Sequence, residues 1–332
     1  MFMEAQIAYC FITSFLVRYI SMKQNYVKSL EKHGKSAYDL YPPQLKSKIS
    51  TKYTTAFTQL IKTVKTDKIT GYFIQPHQDD IALSAGGQVR DLVFSGITVK
   101  SITVMSHIAG GREHFPFVKK LIAQTGQVDA DLYNQLRDGE DERALRILGV
   151  SKRINLGYYD LPWRTKSATD SNGNTILSPL YPDVFGVRAI EDETELKPKI
   201  VHDLKELVKN DAKAIVFAPL GTGGHLDHLL VRDSCLEAFQ NNPNIVILLY
   251  NDVPYSLHFS RDEKFLNVNN LGNAEFCGFQ QDRIGALFQY PSQIYHLIDQ
   301  IREWEGTQDA YLSVEEYYFN LANVSKFLKY IA

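Results

Sequence analysis

Cysteine is scarce: Cys10, Cys235 and Cys277 are the three in 332 residues, far apart in the chain. An odd number without a C-x-x-C pair excludes a disulfide framework and a thiolate metal centre. It points to a reducing compartment, and the expected location is cytoplasmic. An excess of either charge is also lacking, since 36 Lys and Arg face 38 Asp and Glu for a net charge of −2. The basic residues are scattered and form no polybasic arm, so nothing directs the chain to nucleic acid. No apolar run reaches the roughly 20 residues that a spanning helix needs. The uncharged stretch 5–17 is too short, Glu4 precedes it where a leader would carry basic residues, and no small-residue cleavage site follows. It reads as an amphipathic helix packed on the protein. Membrane association of this segment stays open as an alternative, and Met22 is an alternative start that would make it irrelevant. Stable membrane insertion is not expected. Finally, there is no G-x-x-x-x-G-K-[ST], and no G-x-G-x-x-G follows the first strand, which counts against a nucleotide cradle.

What is present is an ordinary folded composition, 44% hydrophobic and 22% charged. The length suits one large domain with an addition. Residues 1–67 read as an N-terminal helical extension, broken at Tyr41-Pro42-Pro43, and 68–332 as the main domain. From residue 68, apolar strands alternate with helices. Strands are expected at 69–75, 98–106, 153–156, 214–218 and 245–250. Helices are expected at 83–95, 129–148 (stopped by Gly149), 193–209 and 228–239. Near-continuous apolar strands separated by helices predict a mainly parallel sheet covered on both faces. The fold class is therefore α/β, a Rossmann-like three-layer α/β/α arrangement, with a helical segment after Asn251 covering one edge.

Two motifs each follow a strand directly, where open α/β sheets bind ligands. The first is Pro76-His77-Gln78-Asp79-Asp80. Adjacent carboxylates repel, and a divalent cation relieves that repulsion. Taken alone, Asp79 or Asp80 capping the next helix explains the motif equally well. The second is Gly221-Thr-Gly-Gly-His225-Leu-Asp227-His228. Its glycines permit tight turns, and His225 and His228 share one side of a helix that starts there. A glycine loop with Asp227 as a cap and two incidental histidines remains the bland alternative. Together the motifs fit a catalytic metal centre, which takes three N/O ligands and leaves a position open. His77, Asp80 and His228 supply them, leaving Asp79 and His225 for proton transfer and charge stabilisation. Zn2+ is the favoured ion, with other first-row divalent ions compatible.

The pair P-H-Q-D-D and H-L-D-H resembles the signature of the PIG-L/LmbE-like de-N-acetylase family, usually P/A-H-P-D-D-E and H-x-D-H. The resemblance runs from Lys68 to Tyr255 and includes Arg137-x-x-Glu140 and Asp252-Val-Pro-Tyr255. It implies a zinc-dependent hydrolase that removes an N-acyl group from an amino-sugar-containing small molecule or glycoconjugate. By the same resemblance His77, Asp80 and His228 bind the metal and Asp79 is the general base toward water. His225 stabilises the oxyanion or protonates the leaving amine, and Asp227 orients a histidine through its other nitrogen. Gln78 stands in place of a proline and Ile81 in place of an acid, so the fine positioning of the turn is in question. Two rival readings stay open: an amidase or deformylase acting on a non-sugar amide, and a degenerate metal- or carbohydrate-binding protein.

Further candidates are weaker. Arg112 and His114 lie in the loop after the second strand and could meet a substrate hydroxyl or phosphate, or be solvated. Tyr158, Tyr159 and Trp163 follow the third strand and could lie against a sugar face, although aromatics more often pack. Arg137 and Glu140 read as a structural ion pair, and Asp160 and Asp252 as residues able to approach the site. His33, His107, His202, His258 and His296 carry no partner pattern. No code for the particular sugar or for the oligomeric state can be read.

Overall fold

A computed structural model describes residues 51–108, 110–112, 115–181, 195–293 and 314–331. The expectations for the first fifty residues, and for His114 and His296, lie outside this set. The described elements begin with helix α1 (Thr51–Thr66). Strand β1 (Thr70–Gln75) and helices α2 (Asp80–Ser84) and α3 (Gly86–Phe94) follow, then β2 (Val99–Thr103). Next come α4 (Pro116–Gln124), α5 (Ala130–Leu148) and β3 (Lys152–Asn155). A hairpin of β4 (Thr165–Thr169) and β5 (Thr175–Pro179) precedes α6 (Leu196–Val208). Then follow β6 (Ala214–Pro219), α7 (Leu226–Phe239) and β7 (Ile245–Tyr250).

Among the described residues the sheet has seven strands in the order β3-β2-β1-β6-β7-β9-β8, where β8 is Leu271–Phe276 and β9 is Glu315–Asn320. From β3 to β7 all neighbours are parallel. The central strands β1 and β6 are buried along nearly their whole length. Their side chains enter cores on both faces, with Phe73 and Phe217 stacked at 4.2 Å on one and Tyr72 and Val216 on the other. This is the mainly parallel, doubly covered sheet that the apolar runs predict. Helix α5 is set by the side chain of Asp129, which accepts from Leu132 N at 2.8 Å, and ends at Gly149 as expected.

One expectation is corrected. The helix expected at 83–95 is two short helices, with Ala85 non-helical between them. Distant groups hold this break. Glu315 accepts from the Gly87 and Gln88 amides at 2.6 and 3.0 Å, and Arg283 donates to the carbonyls of Ala82 and Leu83. Gly87 has to be glycine, because a Cβ there would lie 2.3 Å from the Gly278 carbonyl oxygen. After Asn251 the described residues carry the expected helices, at Glu263–Val268, Gln280–Leu287 and Leu321–Ile331, together with two unforeseen strands: β9 runs antiparallel to β7 and β8 antiparallel to β9, widening the sheet. Their sequences, LGNAEF and EEYYFN, lack the continuous apolar character of the inner strands, because they sit at the sheet's margin.

Helix α1 packs Phe57, Leu60, Ile61 and Val64 into the same core as Phe73 and Phe217. Among the described residues, no helix is long and apolar enough to cross a membrane.

Candidate metal and catalytic site

The chain passes from β1 outward to β2 and β3, then returns to β6 beside β1. The strand order reverses between β1 and β6, and ligands of such sheets bind beyond the carboxyl ends at that point. Pro76-His77-Gln78-Asp79-Asp80 leaves β1 there, and the glycine loop leaves β6 beside it.

Each loop is held by named contacts. Gln75 accepts from Ile81 N at 3.1 Å and donates to Thr103 Oγ1 and the buried Asp141, tying the first loop to β2 and α5. Ile81 points into the core and is fully buried, so the departure from an acid at this position lies outside the polar cluster. In the second loop, Gly221 and Gly223 take φ of 82° and 84°. A Cβ on Gly223 would lie 2.8 Å from Tyr255. Asp252, just beyond β7, accepts from Gly221 N at 2.7 Å and Thr222 N at 2.9 Å through one oxygen. Its other oxygen lies 2.7 Å from His228 Nδ1.

The polar cluster follows from these loops. Donor atoms of His77, Asp80 and His228 all lie within 4.8 Å of one another. Asp80 Oδ2 is 3.6 Å from His77 Nδ1, and Asp80 Oδ1 is 3.5 Å from His228 Nε2. The other nitrogen of each imidazole meets a carboxylate, His77 Nε2 at 3.0 Å from Asp227 and His228 Nδ1 on Asp252. Ligating histidines are oriented in this way. His228 Nε2 is buried and makes no hydrogen bond, a costly state unless an electron-pair acceptor is bound there. This donor set and its orphaned nitrogen fit a divalent cation.

Asp79 is not a cap. Its side chain makes no capping bond, and its backbone φ of 140° is strained for a non-glycine residue. Its Oδ2 accepts from Arg137 at 3.0 Å, and the same Arg137 nitrogen donates to the Gln78 carbonyl. Arg137 also lies 3.5 Å from Glu140, which Ser292 holds through its amide and hydroxyl. Arg137 is therefore more than the expected ion pair. Burial pushes the Asp79 carboxyl up to about 7 against the pull of Arg137. Burial also opposes charge on Asp80, but His228 and His77 outweigh it and bring that carboxyl down to about 2.

His225 Nδ1 accepts from the Asp227 amide at 3.2 Å. A backbone N–H can only donate, so the imidazole proton sits on Nε2. Burial, then the neighbouring His77 and His228, push the His225 pKa well below its ordinary value, and the ring is neutral.

A cavity of about 350 Å3 opens over His77, Asp79, Asp80 and His225, with Asp160 and Tyr255 on its wall. Asp160 Oδ1 is 3.4 Å from His77 Nε2. The other candidates lie elsewhere. Trp163 is fully buried and stacks on Tyr133, and Tyr158 donates to Asp203 at 2.7 Å. Tyr159 is 41% exposed with Arg112 over its ring at 5.1 Å, and neither lines the cavity. Missed by the sequence reading were Tyr255, stacked on His225 at 5.9 Å, and Arg164, which donates to Asp227. Tyr255 stood in the motif Asp252-Val-Pro-Tyr255, which was a usable signal, whereas Arg164 gave none.

Residues 72–239 match the family described as PIG-L: GlcNAc-PI de-N-acetylase. A 2′-N-acetylparomamine deacetylase of Streptomyces fradiae is 25% identical over 66% of this chain and 72% of its own length. One of Niallia circulans is 26% identical over 76% and 91%. The solved structure of a teicoplanin deacetylase in a zinc-inhibited form aligns with a TM-score of 0.59 and 21% identity, over 75% of this chain and 97% of that one. An A40926 pseudoaglycone deacetylase aligns with 0.57 and 19%, over 76% and 97%.

Proposed function

Because the chain belongs to the PIG-L de-N-acetylase family, we propose that it is a zinc-dependent hydrolase that removes an N-acetyl group from an amino-sugar-containing small molecule. The observation that carries the reading is the aim of His77 and His228 at Asp80, each steadied from behind by a carboxylate, with His228 Nε2 buried and unsatisfied. Two nitrogens and one oxygen suit Zn2+ with a position left open. The amino-sugar substrate is supported by the two acetylparomamine deacetylases to which the chain is similar.

The residues that would hold the cation are His77, Asp80 and His228. When bound, it supplies charge that acidifies a water and polarises the amide carbonyl. Asp79, fixed by Arg137 through Oδ2, takes the proton of the attacking water. The Nε2–H of neutral His225 donates to the carbonyl oxygen as negative charge develops on it. A neutral imidazole does not readily surrender that proton, so Asp79 returns the one it took to the leaving amine. Asp227 keeps His77 in its orientation. Gln78 presents its carbonyl to Arg137, and Ile81 is buried in the core. Neither departure removes a reacting group, which weighs against a degenerate binding protein.

The test is acetate release from a panel of N-acetyl amino sugars and their conjugates by the zinc-loaded chain. Asp79→Asn should lower turnover by about 10²–10⁴-fold while zinc content stays at the level of the unsubstituted protein. Chelation should abolish turnover and added Zn2+ restore it. Full activity in Asp79→Asn, or no acetate from any N-acetyl amino sugar, would refute the reading.

A further inference from the structure

Two overlapping sets of donors share His77. One is His77, Asp80 and His228; the other is His77, His225 and Asp227, whose donor atoms also lie within 4.8 Å of one another. Proximity alone does not choose between them. The choice lies in what already occupies Asp227.

That carboxylate is completely buried. One of its oxygens accepts from Arg164, and the other accepts from the Leu161 amide at 3.1 Å and meets His77 Nε2 at 3.0 Å. Arg164 is itself 6% exposed, and its Nε donates to the Tyr159 carbonyl at 3.1 Å. Its own carbonyl accepts from Leu180 at 2.9 Å, closing the base of the β4–β5 hairpin. The Arg164 backbone is thus fixed by the hairpin and its guanidinium by the Tyr159 carbonyl, besides its contact with Asp227. In the same set, His225 Nδ1 is taken by the Asp227 amide.

We infer that Arg164 is a positioning residue for the cation. By engaging Asp227 it keeps that carboxylate on His77 Nε2 and out of the coordination sphere, so the cation takes the set with Asp80 and His228. A buried carboxylate whose lone pairs already serve a guanidinium, an amide and an imidazole has little left for a metal. The same carboxylate on the far nitrogen of His77 fixes that ring's tautomer and raises its basicity, which tightens binding. The inference rests on reading His77, Asp80 and His228 as the metal-holding residues.

The test is Zn2+ affinity, measured by competition with a chelating dye, independent of turnover. Arg164→Met and Asp227→Asn should each weaken binding by about 10–100-fold, the range for loss of such an orienting partner. If Arg164 acts through Asp227, the double variant should bind within about threefold of Asp227→Asn, the non-additivity expected of coupled residues. Arg164→Lys keeps the charge without the planar fork and should fall between. It also decides the matter if the Met variant does not fold, since affinity at the unsubstituted level in Arg164→Lys overturns the inference. So does a double variant whose loss is the product of the single losses. His228→Ala separates the two readings. Lost binding there beside unchanged binding in the Arg164 variants sinks only this inference, whereas unchanged binding in His228→Ala sinks the metal assignment beneath it.

Discussion

At the scale of single residues, Asp79 departs furthest from what local preference would choose. Its φ of 140° is maintained because Gln75 anchors the loop behind it and Arg137 grips both its side chain and the Gln78 carbonyl. The sequence supplies the carboxylate pair and the two histidines, and pairing the motifs across one sheet edge identifies the cluster. The first motif alone leaves Asp79 undecided between base and helix cap, because the two look alike when written as letters. Only the second motif and the family resemblance assign it as the base. The sequence also reads Arg137 only with Glu140, three residues away, since the contact with Asp79 spans 58 positions. That contact has a consequence for pH dependence. A general base must be ionised, and burial places the Asp79 carboxyl near 7 while Arg137 lowers it. A cation bound nearby lowers it further, so kcat/KM should fall with decreasing pH along an acid limb at or below about 7. Arg137→Gln removes a lowering charge, and the limb should move to higher pH. A limb that stays in place or moves to lower pH would show that Arg137 does not tune the base.

Elements show a similar division between what sequence can and cannot reveal. Strands β1, β6 and β7 are legible because they are buried on both faces and nearly all apolar. The outer strands β8 and β9 are not, since their mixed composition matches that of loops. The break between α2 and α3 is equally hidden, as Arg283 and Glu315 stabilise it from some 200 residues away. Helix α4 is informative in another way. Val118 and Ile122 face a small core with Trp163 and Tyr133, while Phe117, Lys120, Leu121 and Gln124 line the cavity at helical spacing. Trp163, a candidate to meet the sugar, instead supports the helix that forms the wall. Phe117 is 48% exposed and contributes little to that core. Phe117→Ala should therefore raise KM for conjugated amino sugars severalfold and leave kcat and the melting temperature nearly unchanged. Ile122→Ala, on the buried face, should cost about 2–5 kcal/mol of stability. Equal effects of the two substitutions on stability, or no change of KM in the first, would remove α4 from the substrate wall.

At the scale of the whole molecule, the family match ends at residue 239, yet the sheet does not. Strand β7 and the antiparallel pair β8 and β9 continue it, and α1, which precedes the match, covers this addition. Phe57 stacks on Tyr317 at 5.4 Å, Tyr53 meets Phe319 edge-on at 5.3 Å, and the Tyr53 ring fills the space over Gly272. The addition also reaches the site. Glu315 on β9 holds the start of α3, and Asn251, next to the Asp252 that steadies His228, donates to Glu316. Residues outside the matched region thus complete the core beneath the polar cluster, and Asp252 and Tyr255 meet the cluster itself, whereas α1 only supports the sheet. Removing the Phe57 ring should accordingly act on stability and not on chemistry. Phe57→Ala should cost about 3–5 kcal/mol in urea unfolding. At temperatures where the variant stays folded, its kcat/KM should remain within about twofold of the unsubstituted chain. A urea midpoint unchanged by the substitution would mean that α1 does not cover β9. A large loss of kcat/KM in the folded variant would mean that α1 does more than support the sheet.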